Sequence, residues 1–238
     1  MEVLTLSRLG IEPSIIIPET NFFTLSIENK IFLLDILTEL KEQVENGKEG
    51  EFNLSLGFKP LNISKSVSVI FDFTYIDFNS KAITNLLTKK FSEFLGLGEQ
   101  AEPLSNLESI ILNLAEDFRI KSGLNIDYDT TVNANNLAKV CSLKVSDDKQ
   151  TLLERLCEYV NLVCDLKPLK LFVLVFGKAF LSKGDIELLY RHCYDRNVRL
   201  LLIESTDKTE RLINERRLII DKDFCGISQG FDEFIESY

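Results

Sequence analysis

The chain is poor in the side chains on which metal and redox sites most often depend. Its 238 residues include one histidine, His192, and its five cysteines form no C-x-x-C pair. A zinc site is therefore not expected, and free thiols in a reducing, cytoplasmic compartment are the plain interpretation. The cysteines are Cys141, Cys157, Cys164, Cys193 and Cys225.

Long apolar runs and a secretion signal are missing as well. No apolar stretch approaches the ~18 residues that a membrane-spanning helix requires. The start of the chain places Glu2 and Arg8 around short apolar pieces, which is not typical of a signal peptide. Five prolines and eleven glycines leave little room for disordered tails, and 45% hydrophobic with 27% charged residues is the composition of a folded protein.

The motif that binds nucleotide phosphates is also absent. Gly177 and Lys178 follow a predicted strand, as the G-x-x-x-x-G-K-[ST] loop would. However, Ala179 replaces the hydroxyl that binds magnesium, and Phe172 stands in place of the first glycine. ATP hydrolysis is therefore not expected.

No nucleophile is paired with a base by its spacing. His192 and Cys193 are neighbours, but adjacent positions on a helix point about 100° apart, so they form no thiolate–imidazole pair. No other acid–base arrangement emerges, and the sequence therefore indicates a protein that is not an enzyme.

The charge of the chain is unevenly distributed. There are 27 Lys and Arg against 37 Asp and Glu, a formal net charge of −10. The segment from residue 59 to residue 90 has a charge of +3, which leaves −13 for the rest. A local basic face of this kind can bind phosphate, and the alternative is a surface that is merely decorated with lysines. The candidate DNA-binding lysines are Lys59, Lys65, Lys81, Lys89 and Lys90.

The order of apolar patterns predicts an α/β fold. Short strands at 3–6 and 14–17 precede a long helix predicted from about Thr24 to Glu45. A buried strand at 67–71 is followed by a helix that Asn79 or Ser80 caps and that ends near Leu95. Strands at 169–176 and 198–203 enclose a helix at 185–195, and such a βαβ unit predicts a mostly parallel sheet.

The middle of the chain is different in kind. Leu104, Leu107, Ile111, Leu114 and Phe118 alternate three- and four-residue steps, and positions 153–163 repeat that spacing. The two helices form either an antiparallel helical subdomain or a cover for the sheet. We therefore predict an α/β core of residues 1–99 and 166–238, with a helical extension at 100–165.

Four acids lie close together in the sequence after the first of these helices. Glu116 and Asp117 approach its end, and Asp127 and Asp129 form an alternating D-x-D in the following segment. Such oxygen ligands suit a hard cation such as calcium, although the EF-hand pattern is absent. Solvated acids at a helix exit are the alternative.

Several stretches together resemble a known family. The chain is similar, in order and over nearly its whole length, to the Csn-type adaptation protein of type II-A CRISPR–Cas systems, a ring protein required to acquire new spacers. The stretches are Ser14-Ile-Ile-Ile17, Val67 to Phe94, Gly177-Lys-Ala-Phe-Leu-Ser-Lys-Gly-Asp185, Leu200-Leu-Leu-Ile-Glu204 and Asp221-Lys-Asp-Phe-Cys225.

The resemblance implies a core similar to P-loop ATPases that has lost the nucleotide motifs, with a helical extension. It further implies a homotetrameric ring that encircles double-stranded DNA, prefers free ends, binds through lysines lining its hole and is held by calcium. The implied partners are double-stranded DNA ends, further copies of the chain, the CRISPR integrase complex and the RNA-guided nuclease.

Two positions modify what the resemblance implies, and one supports it. Lys59 lies where relatives also have basic residues, whereas Asn125 and Thr130 stand where relatives often have acids. We therefore expect calcium to bind weakly or no longer to be needed. The alternative functions are a degenerate nucleotide-binding α/β protein and a protein-interaction module whose lysines are only surface groups.

Overall fold

The structure, a computed structural model, describes residues 3–96, 98–129, 132, 134–146, 151–206 and 211–230. Within these ranges the strands are β1 (Leu4–Ser7), β2 (Ile15–Ile17), β3 (Phe22–Ile27), β4 (Asn53–Leu56), β5 (Lys59–Leu61), β6 (Val67–Ile70), β7 (Leu171–Val175), β8 (Arg199–Glu204), β9 (Glu215–Ile220) and β10 (Gly226–Gln229). The α-helices are α1 (Lys30–Glu45), α2 (Ile63–Ser66), α3 (Lys81–Leu95), α4 (Ala101–Ser122), α5 (Ala134–Cys141), α6 (Leu152–Leu166) and α7 (Lys183–Asp195).

A mostly parallel sheet of six strands organises the first of two compact units. Its strands lie in the order β10-β9-β3-β8-β7-β6, and every neighbouring pair is parallel except β10 with β9. A separate antiparallel sheet has the order β2-β1-β4-β5. The predicted α/β class with a mostly parallel sheet is therefore confirmed.

The central strands are apolar on both faces because both faces are covered. All five side chains of β7 and all six of β8 are buried. One face of the sheet shares a hydrophobic core with α1 and the four-stranded sheet. On the other face, Tyr159 of α6 lies 6.2 Å from Phe172 and Tyr190 of α7 lies 5.5 Å from Phe22, between ring centroids.

The helix predicted from about Thr24 to Glu45 begins later than expected. Residues 22–27 form β3, which lies between β8 and β9 and is buried at every position. The helix starts only after Asn29, whose side chain accepts hydrogen bonds from the N–H groups of Ile31 and Phe32. A short, mainly apolar run of this kind is compatible with a helix or a strand. Here it forms a strand because β8 and β9 pair with it on both sides.

The second unit comprises residues 78–147, whereas residues 1–77 and 148–238 form the first. The predicted extension at 100–165 has other bounds than this second unit, because α3 belongs to the second unit and α6 to the first. The reason lies in packing: α3 contacts α5, whereas α6 packs on α7 and buries Leu156, Val160 and Val163. The two seam helices thus do not share one subdomain.

None of the helices in the described ranges combines the length and the apolar character that crossing a membrane requires.

Candidate nucleic-acid interface

Two of the predicted lysines lie on adjoining elements of the first unit. Lys59 begins β5, which pairs with β4 in a hairpin, and Leu56 and Lys59 face each other in its register. Lys65 lies on α2, the single turn of helix that follows β5. Both lysine side chains are exposed. The sequence did not predict this hairpin, because Gly57 and Phe58 are not one of the usual two-residue turn sequences.

The other three predicted lysines lie on α3 in the second unit. Lys81, Lys89 and Lys90 are all exposed, and Lys89 lies 3.8 Å from Glu93 in an exposed ion pair. Such a pair contributes little to stability and leaves the lysine accessible to a phosphate. The structure therefore places the five predicted lysines in two groups, one in each unit.

A lysine that sequence reasoning missed fixes the position of α2. The Lys167 amine donates hydrogen bonds to the carbonyl oxygens of Ser64, at 3.1 Å, and Val67, at 2.6 Å. Burial lowers its pKa from 10.5 to about 8. Because these carbonyls belong to the end of α2, Lys167 anchors the turn that carries Lys65.

Two further basic residues lie where parallel strands begin. In the register of the sheet, Val67, Leu171 and Arg199 are neighbours on β6, β7 and β8. The Lys170 N–H donates to the Ser66 carbonyl at 2.8 Å, and the Arg199 N–H donates to the Lys170 carbonyl at 2.8 Å. Lys170 and Arg199 therefore lie at the same edge of the sheet as α2.

We call these five residues the basic edge: Lys59, Lys65, Lys167, Lys170 and Arg199. A small pocket lined by Leu56, Lys170 and Arg199 connects the β4–β5 hairpin to the sheet. The same pocket is also lined by one acid, Glu19, whose carboxylate lies 2.9 Å from the Arg199 guanidinium. Arg199 is buried and paired with Glu19, and the Lys167 amine is bound to carbonyl oxygens. The accessible positive charge of the basic edge therefore comes from Lys59, Lys65 and the half-buried Lys170, on a chain that is acidic overall.

The position of the degenerate phosphate loop is occupied by an internal charge network. Lys178 follows β7, as a phosphate-binding lysine would, but its buried amine contacts the Glu215 carboxylate. Glu215 also accepts hydrogen bonds from the Arg217 Nε at 2.8 Å and the Thr24 hydroxyl at 2.6 Å. The Lys178 N–H donates to Glu204 at 2.9 Å. The groups that would meet a phosphate are therefore engaged within the chain.

Burial and pairing shift the pKa values of this network in opposite directions. Burial alone would raise the pKa of Glu215, but hydrogen bonds from Arg217, the Leu212 N–H, Lys178 and Thr24 bring it below its ordinary value. Burial raises the pKa of Glu204 and lowers that of Lys178. Glu215 is therefore the anionic centre of the network.

Two of the four acids predicted to bind calcium, Glu116 and Asp117, are compensated by cations of their own helix. Glu116 accepts hydrogen bonds from Arg119, at 3.1 Å and 2.5 Å, and from the Tyr128 hydroxyl. These hydrogen bonds lower the pKa of Glu116, that from Arg119 most. Asp117 lies 3.4 Å from the Lys121 amine. The expected mutual repulsion of uncompensated acids is therefore reduced by Arg119 and Lys121, which sequence spacing could have indicated.

The fit of these acids to a calcium ion is poor in this arrangement. Asp127 and Asp129 are exposed, and both carboxylate oxygens of Glu116 are already engaged. Thr130, which was singled out in the sequence, lies outside the described residues. Across the part of the chain that the structure describes, no three His, Cys, Asp or Glu side chains are gathered so that they could hold a metal ion.

Comparison with known proteins identifies one family. A family model described as CRISPR-associated protein (Cas_Csn2) matches residues 43–224. No curated protein matches the chain. Among solved structures, a Pyrococcus furiosus protein described as "Putative ABC transporter (ATP-binding protein)" is similar at 9% identity and a TM-score of 0.38, covering 91% of this chain and 97% of its own.

Proposed function

Because this chain belongs to the Cas_Csn2 family of CRISPR-associated proteins, we propose that it is a non-catalytic double-stranded-DNA-binding protein of CRISPR spacer acquisition. The observation that carries the proposal is the basic edge, which concentrates positive charge on a chain of net charge −10. Lysine and arginine contacts to phosphates supply affinity without reading sequence, as capture of unrelated DNA requires. Lys81, Lys89 and Lys90 on α3 supply further phosphate contacts.

A non-catalytic role agrees with the network around Glu215. A nucleotide phosphate would have to displace that carboxylate from Lys178 and Arg217, which are buried with it. Breaking a buried ion pair is strongly unfavourable. The nucleotide-dependent alternative is for this reason the weaker proposal.

Assembly into a homotetrameric ring is supported by the apolar surface of α4. None of its residues is buried in the single chain, although Ile110, Leu114 and Phe118 are spaced four apart and are 56%, 67% and 58% exposed. A continuous apolar stripe of this length indicates a surface that another chain covers. A second copy of the chain is the proposed occupant, and the ring acts with the CRISPR integrase complex and the RNA-guided nuclease.

A ring that encircles DNA should distinguish linear from closed duplexes. We expect a linear duplex to bind more tightly than a covalently closed circle of equal length, because a closed circle can enter only when the ring opens. Competition between the two against one labelled duplex measures the preference. A nicked circle is the matched control, since it has no duplex end and should compete like the closed circle. Equal competition by linear and circular DNA would contradict encirclement.

Calcium is proposed to be dispensable or weakly bound. At a calcium concentration equal to a millimolar dissociation constant, one site stabilises the fold by only about 0.4 kcal/mol. For a chain of this size we expect the melting temperature to rise by about 1 °C over that in chelator. A large calcium-dependent rise that is abolished by Asp127→Asn with Asp129→Asn would contradict this proposal.

A further inference from the structure

The tip of the β4–β5 hairpin holds an aromatic side chain outside the fold. Gly57 and Phe58 are its two central residues, and both have positive φ, 51° and 65°. The Gly57 N–H donates to the carbonyl of Val3, the residue before β1, at 3.0 Å, which attaches the tip to the start of that strand. The Phe58 side chain therefore projects from a turn whose backbone is held in place.

Phe58 is unfavourable for the folded chain in two respects. Its relative solvent exposure is 103%, so the aromatic ring buries no apolar surface. A bulky residue at positive φ is strained, and Asn or Gly suits this turn position better. A contact made outside the single chain would account for both features.

The surroundings of Phe58 indicate the chemistry of that contact. Residues 53–66 include two lysines and no acid, and the lysines are Lys59, which follows Phe58 in the sequence, and Lys65. An apolar side chain in a segment whose charged residues are both cations matches a polyanion that also offers flat apolar surfaces. Nucleic acid has both, because phosphates flank stacked bases.

We propose that Phe58 is a wedge that inserts against the bases of a duplex whose phosphates are bound by Lys59 and Lys65. The inference rests on the proposed function and adds a base contact to it. Phenylalanine has no hydrogen-bonding group, so the contact unstacks bases without reading their sequence. Bases at a duplex end or at a flexible step are the easiest to unstack.

The test compares Phe58→Asn with the wild type on one linear duplex. Asparagine suits the turn, so the variant should keep or raise the urea midpoint of unfolding while losing the ring. We expect duplex affinity to fall roughly 10-fold, a typical effect of removing one stacking aromatic side chain. The slope of log affinity against log salt should not change, because no phosphate contact is lost. Enhanced permanganate reactivity of thymines in bound wild-type complexes should disappear.

Ile213→Asn is the matched control, since Ile213 is 89% exposed in the same unit and should bind DNA like the wild type. Unchanged affinity and unchanged permanganate reactivity in Phe58→Asn would overturn the wedge while leaving the proposed function intact. A smaller oligomer mass for Phe58→Asn would also overturn the wedge, because the Phe58 side chain would then contact a second copy of the chain and not the DNA. A wild-type chain that binds no duplex would overturn both the wedge and the proposed function.

Discussion

Replacing Lys59 and Lys65 together by glutamine should reduce the affinity for duplex DNA about 60-fold at 0.1 M salt. Each phosphate that a protein neutralises contributes about 0.9 to the slope of log affinity against log salt, so each lost contact removes a factor of about eight at this salt concentration. The loss should be the same for unrelated sequences, because phosphate contacts do not read bases. Fluorescence anisotropy of labelled duplexes at several salt concentrations measures both quantities.

Lys222→Gln is the matched control for these lysines. Lys222 is also an exposed lysine of the first unit, but it follows β9 at the opposite, carboxyl end of the parallel sheet. It should bind like the wild type. If the double variant retains wild-type affinity and slope, the basic edge is not the DNA-binding surface, and the lysines of α3 become the remaining candidates.

Replacing Glu215 by alanine should destabilise the first unit by about 3–5 kcal/mol, the usual effect of removing one partner from a buried ion pair. The change deletes the carboxylate that balances Lys178 and Arg217, both of which are buried. The folded-state pKa of Glu215 lies below its ordinary value of 4.5. The ionised carboxylate therefore contributes its full stabilisation above pH 4.5, and the wild type loses that stabilisation as the pH falls through the lowered pKa. Urea unfolding at pH 7 and at pH 4 measures the difference.

Glu204→Gln is the matched control for Glu215. Burial raises the pKa of Glu204, and its carboxylate accepts a hydrogen bond from the Lys178 N–H, as an amide oxygen can also do. We expect a change below about 1 kcal/mol, typical of keeping a neutral hydrogen bond. If Glu215→Ala is as mild as this control, the network does not hold the fold, and the argument against nucleotide binding loses its main support.

The sequence predicted the parts of the fold that depend on local pattern. The βαβ unit of β7, α7 and β8 and the helix α3 with its Ser80 cap lie where periodicity and capping residues placed them. Most of strand β3 was assigned to a helix, because its short, mainly apolar sequence is recognisable as a strand only when β8 and β9 pair with it. The bounds of the two compact units could not be predicted from the sequence for a similar reason, since helical periodicity does not reveal which partner α6 packs against.

The candidate site was partly predictable in the same sense. Lys59 and Lys65 lie in a segment whose charge balance is visible in the sequence. Lys167, Lys170 and Arg199 are a hundred or more residues away from them and join the basic edge only through the register of β6, β7 and β8. No charge count along the chain could have brought them together.

The central claim is that copies of this chain assemble around duplex DNA. Its most direct test is the mass in solution, by light scattering, with and without a linear duplex long enough to pass through a ring. We predict four chains for each ring in both conditions, with the mass of one duplex added when DNA is present. A single chain in both conditions, with no duplex bound, would contradict the account.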